Sequence, residues 1–116
     1  DFKKDNLLFT MDGANCAAVD FQYCGVGYGM KDVVMLIVSS VSREMIGGHA
    51  TLPQQKEKEG VLLELYRAAL VQNLRIIGRL PQDRLDDITP EAIRGQYELA
   101  LIDYVRFMAG WGVLGV

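Results

Sequence analysis

A turn between two short β-favouring runs decides the fold of this chain, whose residues 1–22 read DFKKDNLLFTMDGANCAAVDFQ. Leu7 to Thr10 and Cys16 to Phe21 favour strands, and the Asp-Gly pair between them is typical of a tight hairpin turn. Antiparallel pairing would bring Asn6, before the first strand, and Asp20, at the end of the second, to the same end of the ribbon. The stretch therefore predicts a β-hairpin with polar oxygen atoms at its open end.

Bulk composition favours a globular protein: 50% of the 116 residues are hydrophobic, and the formal net charge is -3. This charge argues against nucleic acid and anionic membrane surfaces as partners, and no apolar run reaches the roughly 18 residues of a membrane span. Cys16 and Cys24, with a single His in the chain, are too few for a zinc site and predict two reduced thiols. We expect a cytoplasmic protein, and the oligomeric state stays open.

Three substantial helices are predicted after the hairpin. Lys31 to about Met45 is apolar on most of its circumference, which is typical of a helix in the middle of a domain. Gln54 to about Ile77 is amphipathic, and a third helix begins at the Thr89-Pro90 pair and runs to about Gly110. The predicted fold class is α+β, mainly helical, as a single domain of residues 1–116.

Three features outside the hairpin each allow a structural and a functional interpretation. The glycine-spaced loop Gly25 to Gly29 could cradle a phosphate, but it matches neither the dinucleotide nor the Walker spacing, so a tight strand-to-helix turn is favoured. His49, in a Gly-rich break, is interpreted as a surface residue rather than a catalyst. Tyr97, Tyr104 and Trp111 lie at helical spacing and are interpreted as core rather than as a ligand cage.

The first residues carry a pattern suited to phosphoryl transfer, because Asp1, Lys3 and Asn6 have the spacing D-x-K-x-x-N. The Asp can accept the proton of an attacking hydroxyl, the Lys can approach the transferring phosphoryl, and the Asn amide oxygen can bind magnesium. The alternative is ordinary turn and cap chemistry, for which Asp and Asn are common residues.

Two segments at compatible separation resemble motifs of the protein-kinase-like superfamily. Asp1 to Phe9 looks like its catalytic loop, and Val19-Asp20-Phe21-Gln22 resembles its metal-binding Asp-Phe-Gly segment, with Gln22 in place of Gly. With the Gly-Tyr-Gly-x-x-Asp that ends at Asp32, the chain is similar to the aminoglycoside/choline phosphotransferase branch, especially its ecdysteroid-kinase-like members. The resemblance implies the C-terminal lobe of a kinase-like fold, with ATP as co-substrate and Mg²⁺ as cofactor.

The resemblance also implies roles for individual residues. Asp1 would be the catalytic base, with Lys3 as a second catalytic candidate, and Asn6 and Asp20 would hold the magnesium that accompanies ATP. Asp32 would be a buried carboxylate that braces the catalytic loop from the start of the central helix. An acid in the first turn of any helix is also favourable by itself, so the position of Asp32 has a purely structural alternative.

The short separation of Asp20 and Asp32 bears on the phosphoryl acceptor. Only eleven residues lie between them, and no Ala-Pro-Glu triplet occurs, whereas a protein kinase would fit a long peptide-docking segment there. We therefore expect a small hydroxylated molecule as acceptor. Because the chain starts inside the motif, we expect it to be the C-terminal part of a longer phosphotransferase, inactive without an ATP-binding lobe. The alternatives are a protein Ser/Thr kinase-like fragment, which Lys3 favours, and a non-catalytic helical interaction module or pseudokinase remnant.

Overall fold

The structure, a computed structural model, describes residues 1–41 and 51–112. These residues form a small antiparallel hairpin and four α-helices, so the prediction of a mainly helical α+β chain is confirmed. The elements are β1 (Leu7–Phe9), β2 (Cys16–Ala18), α1 (Gly29–Ser40), α2 (Leu52–Ile77), α3 (Gln82–Asp86) and α4 (Pro90–Gly110), with a 3₁₀ turn over Lys4–Asn6. His49 and the predicted extension of the first helix to Met45 lie outside the described residues.

The chain divides into two compact groups of residues. The first comprises Asp1–Val41 with Leu99–Val116, and the second comprises Ser42–Glu98, so that α4 supplies residues to both. The single domain of residues 1–116 stays a prediction. In the ranges that the structure describes, none of the helices has the length and apolar composition needed to cross a membrane.

The hairpin forms at the predicted place, with strands shorter than the sequence suggested. Leu7 pairs with Ala18 and Phe9 with Cys16. At the turn, Asp12 Oδ1 accepts the hydroxyl of Thr10 and, at 3.0 Å, the backbone N–H of Ala14. These hydrogen bonds, the Thr10 hydroxyl first, lower the pKa of Asp12 because they stabilise the carboxylate. The turn is therefore organised by a charged acceptor as well as by glycine.

Helix α1 packs through one stripe rather than around its whole circumference. Met30, Val34 and Ile37 are buried and recur at helical spacing, whereas Val38 is 44% exposed. The helix thus has a solvent-facing side, although the apolar sequence predicted a central position. Within the same group of residues, Lys31 Nζ lies 2.9 Å from Asp103 Oδ2 of α4.

Short-range sequence signals set the ends of the helices in the second group. Helix α2 ends at Gly78, whose φ of +65° is the left-handed conformation that glycine adopts without strain. Before α4, Thr89 Oγ1 accepts the backbone N–H of Ala92 at 3.1 Å, with Pro90 as the first helical residue. This confirms the predicted Thr-Pro helix start. The core of this group is buried side chains from three helices: Leu63, Leu85, Ile93 and Tyr97.

A half-buried ion pair joins α2 to the first part of α4. Arg94 Nη1 lies 3.1 Å from Glu59 Oε2, and Arg94 Nη2 donates to the Lys56 carbonyl at 2.9 Å. A methyl group added at Gly60 would lie only 3.3 Å from Arg94 Nη2, which gives a reason for glycine inside this helix. The guanidinium also lies 5.9 Å from the centre of the Tyr97 ring. Charge and ring contacts therefore fix the approach of the two helices.

Burial raises the pKa of Tyr97 to about 12, and the neighbouring Glu59 carboxylate adds to the effect. Both make the neutral phenol the favoured form in the folded protein, whereas an exposed tyrosine titrates near pH 10. The stability gained from the neutral phenol is thus fully present below pH 10 and is lost as the pH rises toward 12.

We predict that the stability advantage of the native chain over a Tyr97→Phe variant changes with alkaline pH. The advantage should be constant at neutral pH and should shrink between about pH 10 and 12, because only the native chain has a phenol to ionise. Urea unfolding of both proteins across this range measures it. A difference that stays flat up to pH 12 would show that the folded and unfolded chains bind this proton equally.

Candidate active site

Residues 1–6 form a loop that is closed on itself by hydrogen bonds to its first residue. The Asp1 carbonyl accepts the backbone N–H of Lys3 at 3.1 Å and the side-chain amide Nδ2 of Asn6 at 2.8 Å. The backbone N–H of Asn6 in turn donates to the Lys3 carbonyl at 2.9 Å. Because the Asn6 nitrogen is used inside the loop, the amide oxygen is the atom left for an external partner.

The two predicted catalytic side chains contact each other. Lys3 Nζ lies 2.9 Å from Asp1 Oδ2, and both side chains are only partly exposed. A pair of this kind contributes at most about 1 kcal/mol to stability. Its value here is positional, because it restrains a carboxylate at the end of the loop.

Helix α1 anchors the loop through a residue that the sequence analysis did not single out. The backbone N–H of Lys4 donates to Ser40 Oγ at 2.8 Å, and Ser40 Oγ lies 2.9 Å from Ser39 Oγ. The available signal was the pair of serines that follows the apolar run of α1 and ends the helix, because a polar side chain at such a place needs a hydrogen-bond partner.

Asp20 has a left-handed backbone conformation, unlike the residues next to it. The Val19 N–H donates to the Asn6 carbonyl at 2.9 Å, so the pairing of the hairpin extends past its strands. The next residue, Asp20, has a φ of +63° and is the only non-glycine residue with positive φ in the described part of the chain. Aspartate tolerates this conformation better than most residues, but it is still sparsely populated and is often found at functional sites.

A cavity of about 420 Å³ brings three of the five predicted residues together. Asp1, Asp20 and Asp32 line it, with Lys31 and the loop that includes Gly25 and Gly27. Lys3 and Asn6 do not line this cavity, but both contact Asp1 directly.

The predicted burial of Asp32 is wrong. The residue is exposed in the first turn of α1, and within the described ranges it has no hydrogen bond or ion pair to residues 1–6. Its position suits the alternative interpretation, in which an acid near the helix N-terminus offsets the partial positive charge of that end. An apolar helix sequence does not reveal where its first turn meets solvent.

A turn at the end of the hairpin precedes the glycine-spaced loop, which then leads into α1. The Cys24 N–H donates to the Phe21 carbonyl at 2.9 Å, and α1 begins at Gly29. Cys16 and Cys24 are both free and exposed.

The oxygen donors of this site fit magnesium better than a softer metal. In the described part of the chain, no three His, Cys, Asp or Glu side chains form a cluster that could hold an ion. Magnesium does not require such a cluster, since it usually binds one or two carboxylates together with substrate phosphates and water. The carboxylate of Asp20 and the amide oxygen of Asn6 are ligands of the type it prefers.

Comparisons with protein-family models, with curated protein sequences and with solved structures find no significant match to this chain.

We predict that Ser40→Ala lowers the free energy of unfolding by about 1 kcal/mol, because the Lys4 N–H loses its acceptor. Ser39→Ala is the comparison variant: it removes the hydroxyl that bonds the Met35 carbonyl and lies 2.9 Å from Ser40 Oγ, but it keeps the acceptor of the Lys4 N–H, so its loss should cost less than about 0.5 kcal/mol. Urea unfolding gives both values, and hydrogen exchange at the Lys4 amide should accelerate only in Ser40→Ala. Equal exchange in the two variants would mean that Ser40 does not hold the loop.

Proposed function

We propose that this chain carries the catalytic and magnesium-binding part of an ATP-dependent phosphotransferase that acts on a hydroxylated small molecule, built as the C-terminal lobe of a protein-kinase-like fold. One observation carries the proposal: Asp1 and Asp20 line a single cavity, and Asp20 has a left-handed backbone conformation at the end of the hairpin. Two residues chosen by their motifs would have no reason to meet in this way if each served only a local turn. The mainly helical fold with one hairpin is compatible with such a lobe.

In the proposed reaction, Asp1 is the group that receives a proton. Its carboxylate accepts the proton of the acceptor hydroxyl as that oxygen forms a bond to the γ-phosphorus of ATP, and the bond from phosphorus to the bridging oxygen breaks to release ADP. The Lys3 ammonium, 2.9 Å from Asp1 Oδ2, restrains the carboxylate and adds positive charge close to the transferring group. The anchored Asp1 carbonyl supports this role, because general-base catalysis depends on a fixed position.

Asn6 and Asp20 are the proposed magnesium ligands. The pairing of Val19 with Asn6 supports the assignment, since it holds the residue before Asp20 directly against Asn6. When bound, the ion would offset negative charge on the phosphates of ATP. Asp32 lines the same cavity and is exposed, so its proposed contribution is electrostatic support near the metal rather than buried bracing.

The connection from the hairpin to α1 supports a small acceptor over a peptide. Only residues 21–28 separate Asp20 from the start of α1, and they already form a turn with glycine residues on the cavity wall. This connection is shorter than the peptide-docking segment that a protein kinase would carry at the same place. A protein Ser/Thr kinase and a non-catalytic helical module are the alternative functions, and the experiments below separate them.

The proposed location is the cytoplasm. Two free, exposed cysteines are typical of a reducing compartment, where ATP is also available.

We predict that Mn²⁺, used as a probe for the magnesium site, broadens the amide resonances around Asn6 and Asp20 in NMR spectra. Asp20→Asn should weaken this binding at least about tenfold, because it removes one charge from the ion while asparagine still tolerates positive φ. Asp5→Asn removes an identical charge from an exposed neighbouring position and should leave the affinity nearly unchanged.

A third variant separates metal binding from turn chemistry. Asp20→Gly removes the carboxylate but suits the observed φ of +63°, so it should abolish Mn²⁺ binding without loss of stability. If Asp20→Asn and Asp20→Gly bind Mn²⁺ like the native chain, the residue serves only the turn and the proposal fails.

We predict that Asp1→Asn reduces phosphoryl transfer by at least about 100-fold, because the amide cannot accept the hydroxyl proton. The measurement is transfer from radiolabelled ATP with Mg²⁺ to a panel of hydroxylated small molecules and to a generic protein substrate, with a protein form in which an ATP-binding lobe precedes Asp1. Asp5→Asn is again the matched control. Transfer to protein alone would favour the Ser/Thr kinase alternative, and no transfer to either would favour the non-catalytic module.

A further inference from the structure

A second cavity in the first group of residues belongs to no part of the proposed reaction. It has a volume of about 630 Å³ and lies where α1 meets the last turns of α4. Its size is within the range of small-molecule sites, which are mostly apolar with a few convergent polar groups. The sequence analysis assigned two of its aromatic residues, Tyr104 and Trp111, to the core, so their position on a cavity wall needs its own explanation.

The wall of this cavity offers an exposed aromatic surface. The rings of Phe107 and Trp111 lie 5.8 Å apart at an angle of 50°, and Trp111 is 74% exposed. Met35 of α1 adds a flexible, polarisable side chain to the wall. An exposed indole beside a second ring is suited to a flat apolar molecule, which would bury surface that now faces water.

The positive charges on the wall of this cavity outnumber the negative ones. Asp103 accepts both from Lys31, at 2.9 Å, and from Arg106, at 2.7 Å, on its two carboxylate oxygens. Hydrogen bonds from Arg106 and then Lys31 lower the pKa of Asp103, so it stays anionic. One anion thus faces two cations, and the lining keeps one net positive charge. The Arg106 side chain is 80% exposed and has further N–H groups that can pair with a carboxylate.

We propose that this cavity binds a small aromatic molecule that carries one negative charge, with its ring against Trp111 and its carboxylate paired with Arg106 and Lys31. Shape selects the flat ring, and the unbalanced charge selects the anion. The proposal stands whether or not the chain transfers phosphate, since it uses none of Asp1, Asn6 and Asp20. Lys31 also lines the first cavity, so the two sites share one cation.

The single tryptophan of the chain provides a local readout. In a ¹H–¹⁵N spectrum of the full chain, the Trp111 indole N–H gives one resonance, and its shift can be followed during titration with 2-naphthoate and, separately, with 2-naphthalenemethanol. We expect both to move this resonance, with naphthoate bound about tenfold more tightly, because only it forms charge-assisted hydrogen bonds.

Charge variants then locate the selectivity. Arg106→Gln should reduce the preference for naphthoate to about twofold or less, and Lys31→Gln should reduce it as well. Arg79→Gln removes an exposed positive charge from the second group of residues and should leave the preference unchanged. The dispersion of the amide resonances shows whether each variant is folded. If only one of the two cavity variants folds, its preference for naphthoate over the alcohol is enough to test the proposal.

Three results would overturn the proposal. The first is an indole resonance that does not move with millimolar naphthoate. The second is equal affinity for the acid and the alcohol, which would make the cavity a general apolar surface. The third is a preference for the acid that survives both cavity variants, since the anion would then be recognised elsewhere.

Discussion

The hydrogen bond from the Val19 N–H to the Asn6 carbonyl is the constraint on which the proposed site depends. It continues the pairing of Leu7 with Ala18 by one residue beyond each strand, and so fixes the register at the open end of the hairpin. A slip of one residue would reverse the faces of every side chain in a strand. Asp20 would then no longer follow directly on a residue paired with Asn6. The Asp12 turn at the opposite end guards against such a slip, because its hydrogen bonds suit one loop length.

The proposed site combines a hydrogen-bonded loop with few buried apolar side chains in the helix that anchors it. Residues 1–6 are held by their own hydrogen bonds and by Ser40, whereas the core of α1 contributes only a narrow stripe of buried side chains. Polar contacts rather than apolar burial therefore position Asp1. Such an arrangement is sensitive to the loss of single hydrogen bonds, because each one restrains a residue that packing leaves free.

The sequence predicted those elements whose signals are local. The Asp-Gly turn, the Thr89-Pro90 start and the long helix ending near Ile77 all depend on residues within one or two turns, and the structure has them close to the predicted positions. The placement of Asn6 and Asp20 at the same end of the hairpin was also predictable, because antiparallel pairing follows from the turn.

Features that depend on distant partners were not predictable in the same way. The aromatic stripe of α4 illustrates this: Tyr97 is buried as predicted, but Trp111, on the same helical pattern, is exposed and lines a cavity. The spacing of apolar residues shows which side of a helix is apolar but not how far along the helix a partner extends. The exposure of Asp32 and the contact of Ser40 with Lys4 have the same origin, since both depend on tertiary packing across many residues.

The ion pair between Lys31 and Asp103 has a consequence for the order in which the chain becomes structured during synthesis. The first group of residues is discontinuous, and all of Ser42–Glu98 must leave the ribosome before its second segment appears. At a translation rate of about 5 to 20 residues per second, the hairpin and α1 are made roughly 3 to 11 seconds before the end of α4. The intervening residues can meanwhile fold through contacts close in sequence, which form quickly. Nascent chains would therefore spend seconds with α1 formed but without the Lys31–Asp103 ion pair that joins this helix to the end of α4.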